Sequence, residues 1–123
     1  MCLNTINPGT PPDPVLVYKI FRRFHDNGEI FYASWFHHTY VRYHLGMMYM
    51  NQNDFPLALV GNSQTYRSGF HAYANVEAAR KWACIGTEEV IVKVRLTNVT
   101  TSGTQDEDEC YVAQTMELIE EVL

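Results

Sequence analysis

His71 is the side chain of this sequence whose setting most favours chemistry. It lies in the glycine- and aromatic-containing segment at residues 69–73, just before a helix signal. Histidine exchanges a proton near neutral pH, so His71 could act as a general base or contact a ligand. Gly69 would let a ligand or another backbone approach closely. A structural alternative is a ring bonded to a backbone carbonyl that orients the strand, and both interpretations stay open from the residues alone.

Other polar clusters do not assemble a recognisable site. His37, His38 and His44 lie in one aromatic segment, but on a strand only the last two would face the same side. A zinc or iron site needs three or four converging ligands, and the three cysteines have no CxxC spacing. The acidic run at residues 106–109 lacks the ligand pattern of a calcium loop. We therefore predict no metal and no cofactor.

Aromatic residues are unusually dense between Tyr18 and Tyr49. One domain face cannot bury all of them, and exposed tyrosine and tryptophan favour interfaces and stacking pockets. We therefore predict a partner or ligand surface. Its candidate binding residues are Trp35, Tyr40, Tyr43, Tyr66, His71 and Tyr73.

Size and composition exclude several classes of protein. The 123 residues fit one domain, and the 46% hydrophobic content is that of a globular protein. A formal charge of −5 disfavours nucleic acid as a partner. No apolar run reaches the roughly 20 residues that cross a bilayer, and no signal peptide is recognisable. We expect a cytoplasmic protein that does not bind membranes.

The elements that position His71 follow from turn and periodicity signals. Proline-rich residues 1–14 indicate an extended surface arm, with pairing starting at Val15 in a single domain over residues 15–123. Asn27 and Gly28 predict a hairpin turn. Residues 35–50 predict one or two further strands, with a bulge or bend at Gly46. The fold class is α+β: one mainly antiparallel, twisted sheet of about five or six strands with one short helix packed on a face.

The second half of the chain carries a helix and a strand. Asn75 can cap a helix that ends by Gly86, with an apolar stripe meant to lie on the sheet. Alternation over residues 89–96 predicts a strand with one buried face. We expect a polar loop at residues 102–109 and a short strand at residues 116–122.

Two resemblances extend this interpretation. The opening Met1, Cys2 and Leu3, the Gly-x-His-small-aromatic pattern at residues 69–73 and the strand at residues 91–94 resemble a group of small phage, prophage and bacterial proteins. That resemblance implies a phage or mobile-element context and transfers no activity. Residues 69–73 with a later glutamate, Glu117, also look like ADP-ribosyltransferase-like folds.

We predict binding rather than catalysis as the function. The first hypothesis is a phage or mobile-element accessory protein that binds a host protein in the host cytoplasm, with inhibition of a defence system as one form of that activity. The alternative is a small-molecule or nucleotide-binding domain, or an ADP-ribosyltransferase-like enzyme, centred on His71 with Glu117 as the second catalytic candidate. A homo-oligomer also stays open.

Overall fold

The computed structural model describes residues 2–34, 41–52, 55–61, 63–84 and 86–122. Within those ranges the chain forms nine strands and one helix. In chain order they are β1 (Thr5–Ile6), β2 (Val15–Asp26), β3 (Glu29–Ala33), β4 (Met48–Met50), β5 (Pro56–Ala58), β6 (Thr65–Arg67), β7 (Phe70–Tyr73), α1 (Val76–Trp82), β8 (Glu89–Gln105) and β9 (Asp108–Glu121).

Four strands form a closed circuit at the centre of the molecule. β2 pairs with β7 and β8, and β9 also pairs with β7 and β8, all antiparallel. A sheet that closes on itself leaves no open edge among those strands. β1, β3 and β4 attach from outside, and β5 and β6 form a separate two-stranded sheet. The α+β, mainly antiparallel prediction is confirmed, but the main sheet has seven strands instead of five or six.

The predicted first hairpin is confirmed. Asp26 pairs with Glu29 across a two-residue turn in which both Asn27 and Gly28 have positive φ. That conformation matches the twist of the flanking strands, and asparagine and glycine adopt it at little cost.

The predicted polar loop at residues 102–109 was wrong, because it is the closed end of a second hairpin. Gln105 pairs with Asp108, and only Asp106 and Glu107 form the turn. The strand predicted at residues 116–122 is therefore the end of the 14-residue β9. Polar residues continue these strands because pairing with a neighbouring strand outweighs their weak intrinsic preference.

Glu107 occupies a strained position in this turn, and removing its side chain should stabilise the protein. Its φ is 74°, a left-handed conformation that costs a residue with a β-carbon about 1–2 kcal/mol. Glycine adopts it freely but loses more backbone entropy on folding. We expect Glu107→Gly to raise the free energy of unfolding in a urea titration by about 0.5–1 kcal/mol.

Glu109→Gly is the matched control, since it removes the same charge from an extended strand residue. It should lower the free energy of unfolding, because glycine weakens a strand. Equal effects of the two substitutions would contradict the role of the Glu107 backbone.

The amino-terminal segment pairs with the main sheet earlier than predicted. β1 pairs with β8 before Val15, where pairing was predicted to begin, and Leu3 is completely buried. Gly103 makes this contact possible, since a β-carbon there would collide with the backbone of Thr5. The segment is therefore held by pairing and by burial together.

Two hydrophobic clusters lie on opposite sides of the circuit strands. Val17 and Phe21 of β2 belong to the first cluster, whereas Tyr18 and Ile20 pack against the second, which also contains the helix. Ile91 is completely buried in the second cluster. The expectation that residues 89–96 have only one buried face is therefore wrong for Ile91, because helix α1 and the amino-terminal segment cover that side.

Helix α1 begins as predicted and ends early. The Asn75 side-chain oxygen accepts a hydrogen bond from the Ala78 amide at 2.9 Å, and Glu77 lies in the first turn. Ala83 is already extended, so the helix stops before Gly86. No helix in the described ranges has the length and hydropathy to cross a membrane.

Candidate functional site

His71 lies in a buried chain of hydrogen bonds. Its Nδ1 is 3.0 Å from the Gly69 carbonyl oxygen, and its Nε2 is 2.8 Å from the Tyr66 hydroxyl. Because a carbonyl oxygen can only accept, Nδ1 carries the proton and the Tyr66 hydroxyl donates to Nε2. The same hydroxyl accepts from the Leu3 amide at 3.0 Å. The chain of bonds ties the amino-terminal segment to β7.

This geometry is that of the structural alternative for His71. The residue is 1% exposed, and both ring nitrogens have protein partners. Gly69 does allow a close approach, but by the carbonyl oxygen of Ala113, which would lie 2.5 Å from an added β-carbon. A ligand could reach the imidazole only if Tyr66 moved away, since its hydroxyl occupies Nε2.

Lys19 is a buried cation that the sequence analysis did not single out. Its Nζ donates to the His71 carbonyl oxygen at 2.7 Å. β2 and β7 share a single residue pair, Tyr18 with Tyr73, so this lysine provides a partner beyond their ladder. Burial lowers the pKa of Lys19 to about 8, although the electrostatic effect of Cys110 partly opposes the shift. A signal existed, because Lys19 lies two residues from both Val17 and Phe21 and therefore shares their buried face of the strand.

The other titratable groups of this region are held neutral. Burial raises the pKa of Cys110 to about 12, and the thiol donates to the Asp108 carbonyl oxygen at 3.6 Å. Burial likewise raises the pKa of Tyr66 to about 12 and that of Tyr73 further still. A protonated thiol is a poor nucleophile, so Cys110 contributes packing here.

The aromatic binding candidates are not exposed where the structure describes them. Tyr43, Tyr66 and Tyr73 are all buried. Tyr43 packs edge-on against Tyr49, with ring centroids 4.7 Å apart. The candidates Trp35 and Tyr40, and the metal candidates His37 and His38, lie outside the described residues.

Glu117 is not brought to His71. The register partner of His71 on β9 is Val112, and Glu117 lies five residues further along that strand, about 16 Å at ~3.3 Å per residue. Its carboxylate accepts from Arg95 at 2.6 Å. His44, the remaining metal candidate, is an exposed partner of Glu29, and the described residues contain no cluster placed to hold a metal.

No protein-family model, curated protein or solved structure matches this chain. The candidate site therefore rests on the chain's own geometry.

The most distinctive exposed feature is an apolar strip around β4. Leu45, Met47, Met48 and Met50 are 43%, 54%, 61% and 68% exposed. We call these four residues the apolar edge. They lie in residues 45–52, a stretch without any charged side chain. Large apolar residues that are exposed together mark interaction surfaces.

β4 also presents unpaired backbone to its outer side. It pairs with β9 on one side and is the terminal strand there among the described residues. The Asn51 amide donates to the Gln114 carbonyl at 2.8 Å. Along an antiparallel strand, residues whose backbone N–H and C=O bond to the neighbouring strand alternate with residues whose backbone groups point away from it. The backbone of Tyr49 therefore faces β9, and the backbones of Met48 and Met50 point outward.

A polar groove of about 380 Å³ lies at the Met50 end of the apolar edge. Gln114 anchors it, donating to the Ser68 carbonyl at 2.8 Å while its own side-chain oxygen accepts from Asn51 at 3.0 Å. These amides are held in place by one another. The groove is lined by Asp13, Met50, Asn51, Arg67, Asn98, Val99, Thr100, Gln114 and Thr115.

Proposed function

We propose that this protein is a binding protein that engages a second protein through the apolar edge. The single observation that carries the proposal is the exposure of four large apolar side chains within six residues, two of them on a strand that is terminal among the described residues. When a partner covers such a surface, apolar area is removed from water, and the free energy of that removal is favourable. The resemblance to phage and mobile-element proteins makes a host protein the proposed partner.

The chemistry of the apolar edge favours an adaptable interface. Methionine is unbranched and polarisable, so Met47, Met48 and Met50 can repack around differently shaped apolar surfaces. The neighbouring groove supplies amide and hydroxyl groups for the polar rim that such interfaces have. An apolar centre beside an ordered polar rim supports recognition of a protein surface more than of a small molecule.

The alternative centred on His71 receives less support from the geometry. A ligand pocket needs concave, accessible walls with a few polar groups, whereas Tyr66, His71 and Tyr73 are packed together in the interior. Glu117 lies on a distant part of β9 and is paired with Arg95. A nucleotide would have to displace the bond between Tyr66 and His71 to enter.

Affinity capture with paired variants tests the proposed function. The tagged parent protein, the double variant Met48→Ser/Met50→Ser and the control Val60→Ser would each be incubated with lysate of the host bacterium. Val60 is 58% exposed and lies in a turn away from β4. Recovered proteins would be quantified by mass spectrometry, with a photo-crosslinker at position 47 to identify direct contacts.

We expect one host protein to be crosslinked from position 47 and recovered equally with the parent and Val60→Ser. Its recovery with the double variant should fall about tenfold or more, which corresponds to about 1.4 kcal/mol. Identical recovery with all three proteins, or no crosslink from position 47, would overturn the proposal.

A further inference from the structure

We propose that the outer side of β4 pairs with β4 of a second copy of this chain, across a two-fold axis beside Tyr49. This inference deepens the proposed function, because the partner copy would contribute its own methionines to the apolar edge. It rests on the backbone of β4, whereas the proposed function rests on the side chains.

The alternation of hydrogen bonds makes β4 self-complementary. Met48 and Met50 point their backbone groups outward and are two residues apart, with Tyr49 between them. A two-fold axis beside Tyr49 places Met48 opposite Met50 of the partner subunit, and Met50 opposite Met48 of the partner subunit. Each opposed pair exchanges two N–H···O bonds in an antiparallel ladder. The same three residues thus satisfy each other without any shift in register.

Charge opposes a second copy at this position less than elsewhere on the molecule. The chain carries a net charge of −5, so two copies repel each other over most approaches. Residues 45–52 contain no charged side chain. Two copies that meet at β4 therefore place no like charges directly opposite each other, which the isologous contact of a two-fold dimer requires.

The edge carries only part of the usual protection against pairing. Monomeric proteins prevent an exposed edge strand from pairing with another chain by keeping it very short or by placing lysine, proline, a bulge or an inward-pointing charge there. The strand Met48-Tyr49-Met50 has no lysine, proline or charged residue, and its three pairs with β9 are regular. A bulge lies just before it, where the Gly46 amide and the Met47 carbonyl both bond to Leu118. These three residues can therefore accept a further strand on their outer side.

Pairing would bring the exposed methionines of both copies together. Met48 and Met50 lie on one face of β4, since side chains alternate along a strand. In the dimer, four methionine side chains would stand side by side on one face of a sheet that runs through both copies. The host partner would then meet a continuous apolar surface twice as large as that of one chain.

Two substitutions at one position separate the backbone role from the side-chain role. Met50→Pro removes an amide that points away from β9, a position where an edge strand tolerates proline. Met50→Val keeps that amide. Light scattering after size exclusion would follow mass at about 5–200 µM, where a small interface associates. We expect the parent and Met50→Val at twice the 14.2 kDa chain mass and Met50→Pro at the chain mass with unchanged circular dichroism.

Disulfide trapping tests the register independently of that variant. Met48→Cys and Met50→Cys would be made in separate chains with different tags, with the exposed Cys84 replaced by serine. Opposed residues of a bonded pair lie about 5.5 Å apart between α-carbons, within disulfide range. Diagonal residues lie at about 7–8 Å, beyond it. A dimer crosslinked only in the mixture of the two chains supports the proposed axis.

A monomeric parent at every concentration, a dimer that persists in Met50→Pro, or crosslinking equal in mixed and single-variant samples would overturn the inference. These results leave the proposed function separately measurable. If the parent is monomeric but Met48→Ser/Met50→Ser still loses the host protein, only the dimer is wrong. If the dimer forms and that double variant still recovers the host protein, only the proposed function is wrong.

Discussion

Gly103→Ala is expected to lower the free energy of unfolding by about 3 kcal/mol and to release the amino-terminal segment. A β-carbon at residue 103 would overlap the carbonyl group of Thr5, which is backbone and cannot rotate aside. β1 would have to leave β8, and the completely buried Leu3 would leave with it. Exposing a leucine costs about 1.5–3 kcal/mol, and the bond from the Leu3 amide to Tyr66 would be lost as well.

Hydrogen exchange and a urea titration would measure this effect. The amides of Asn4 and Asn7 donate to the carbonyls of Thr104 and Ser102 at 2.7 and 2.8 Å, so their exchange should accelerate in Gly103→Ala. Ser102→Ala is the matched control, because it leaves the Thr5 backbone untouched and removes only a 3.4 Å bond from the Asn7 side chain. Unchanged protection of both amides in Gly103→Ala would contradict the proposed collision.

Lys19 should make the parent protein more stable as the pH rises above 8. Burial lowers the pKa of its amine to about 8 in the folded state from a usual value of 10.5. Between those values the unfolded chain binds more protons than the folded chain, so the free energy of unfolding increases with pH. The slope is about 1.4 kcal/mol per pH unit, and the full gain is about 3 kcal/mol.

Lys19→Met isolates this contribution. Cys110 acts in the opposite direction above pH 9, because burial raises its folded-state pKa from 9.0 to about 12. Both proteins contain Cys110, so its contribution cancels, apart from its electrostatic interaction with Lys19, when urea titrations of parent and variant are compared at each pH. The difference between them should be constant below pH 8 and grow by about 1 kcal/mol per unit up to pH 10. Parallel curves from pH 7 to 10 would show that Lys19 is not desolvated.

The two hairpins show which parts of this fold can be predicted from sequence. Asn27 and Gly28 predict a turn, because both residues adopt positive φ readily. Asp106 and Glu107 adopt positive φ as well, but their residue types give no such signal. The flanking residues 102–105 and 108–111 pair with each other, but they are mostly polar, and their other partners lie in the distant strands β1 and β7. That pairing is a tertiary property and leaves no local pattern.

The candidate site likewise has features that could be predicted from sequence and features that could not. Lys19 lies between Val17 and Phe21 on the same face of β2, so a lysine on an apolar face, and hence its burial, could have been predicted. The contact of Leu3 with Tyr66 spans 63 residues and depends on how the sheet closes. The uncharged methionine run is visible in the sequence, but its exposure follows from the position of β4 at an outer edge. Dense aromatic residues indicated a surface, and Tyr43 shows that core packing can use them instead.

The closed circuit also governs how this protein can be synthesised. β9 pairs with β4, β7 and β8, so none of these strands has its full set of neighbours until residues 108–121 have left the ribosome. Until then β2 can pair with β3, β7 and β8, and β5 with β6, but the circuit stays open where β9 is missing. The apolar surface and strand edges that β9 will cover stay exposed, and chaperones bind such surfaces. A premature stop before Asp108 would therefore yield a chain that cannot close its core, however much of its sequence has been translated.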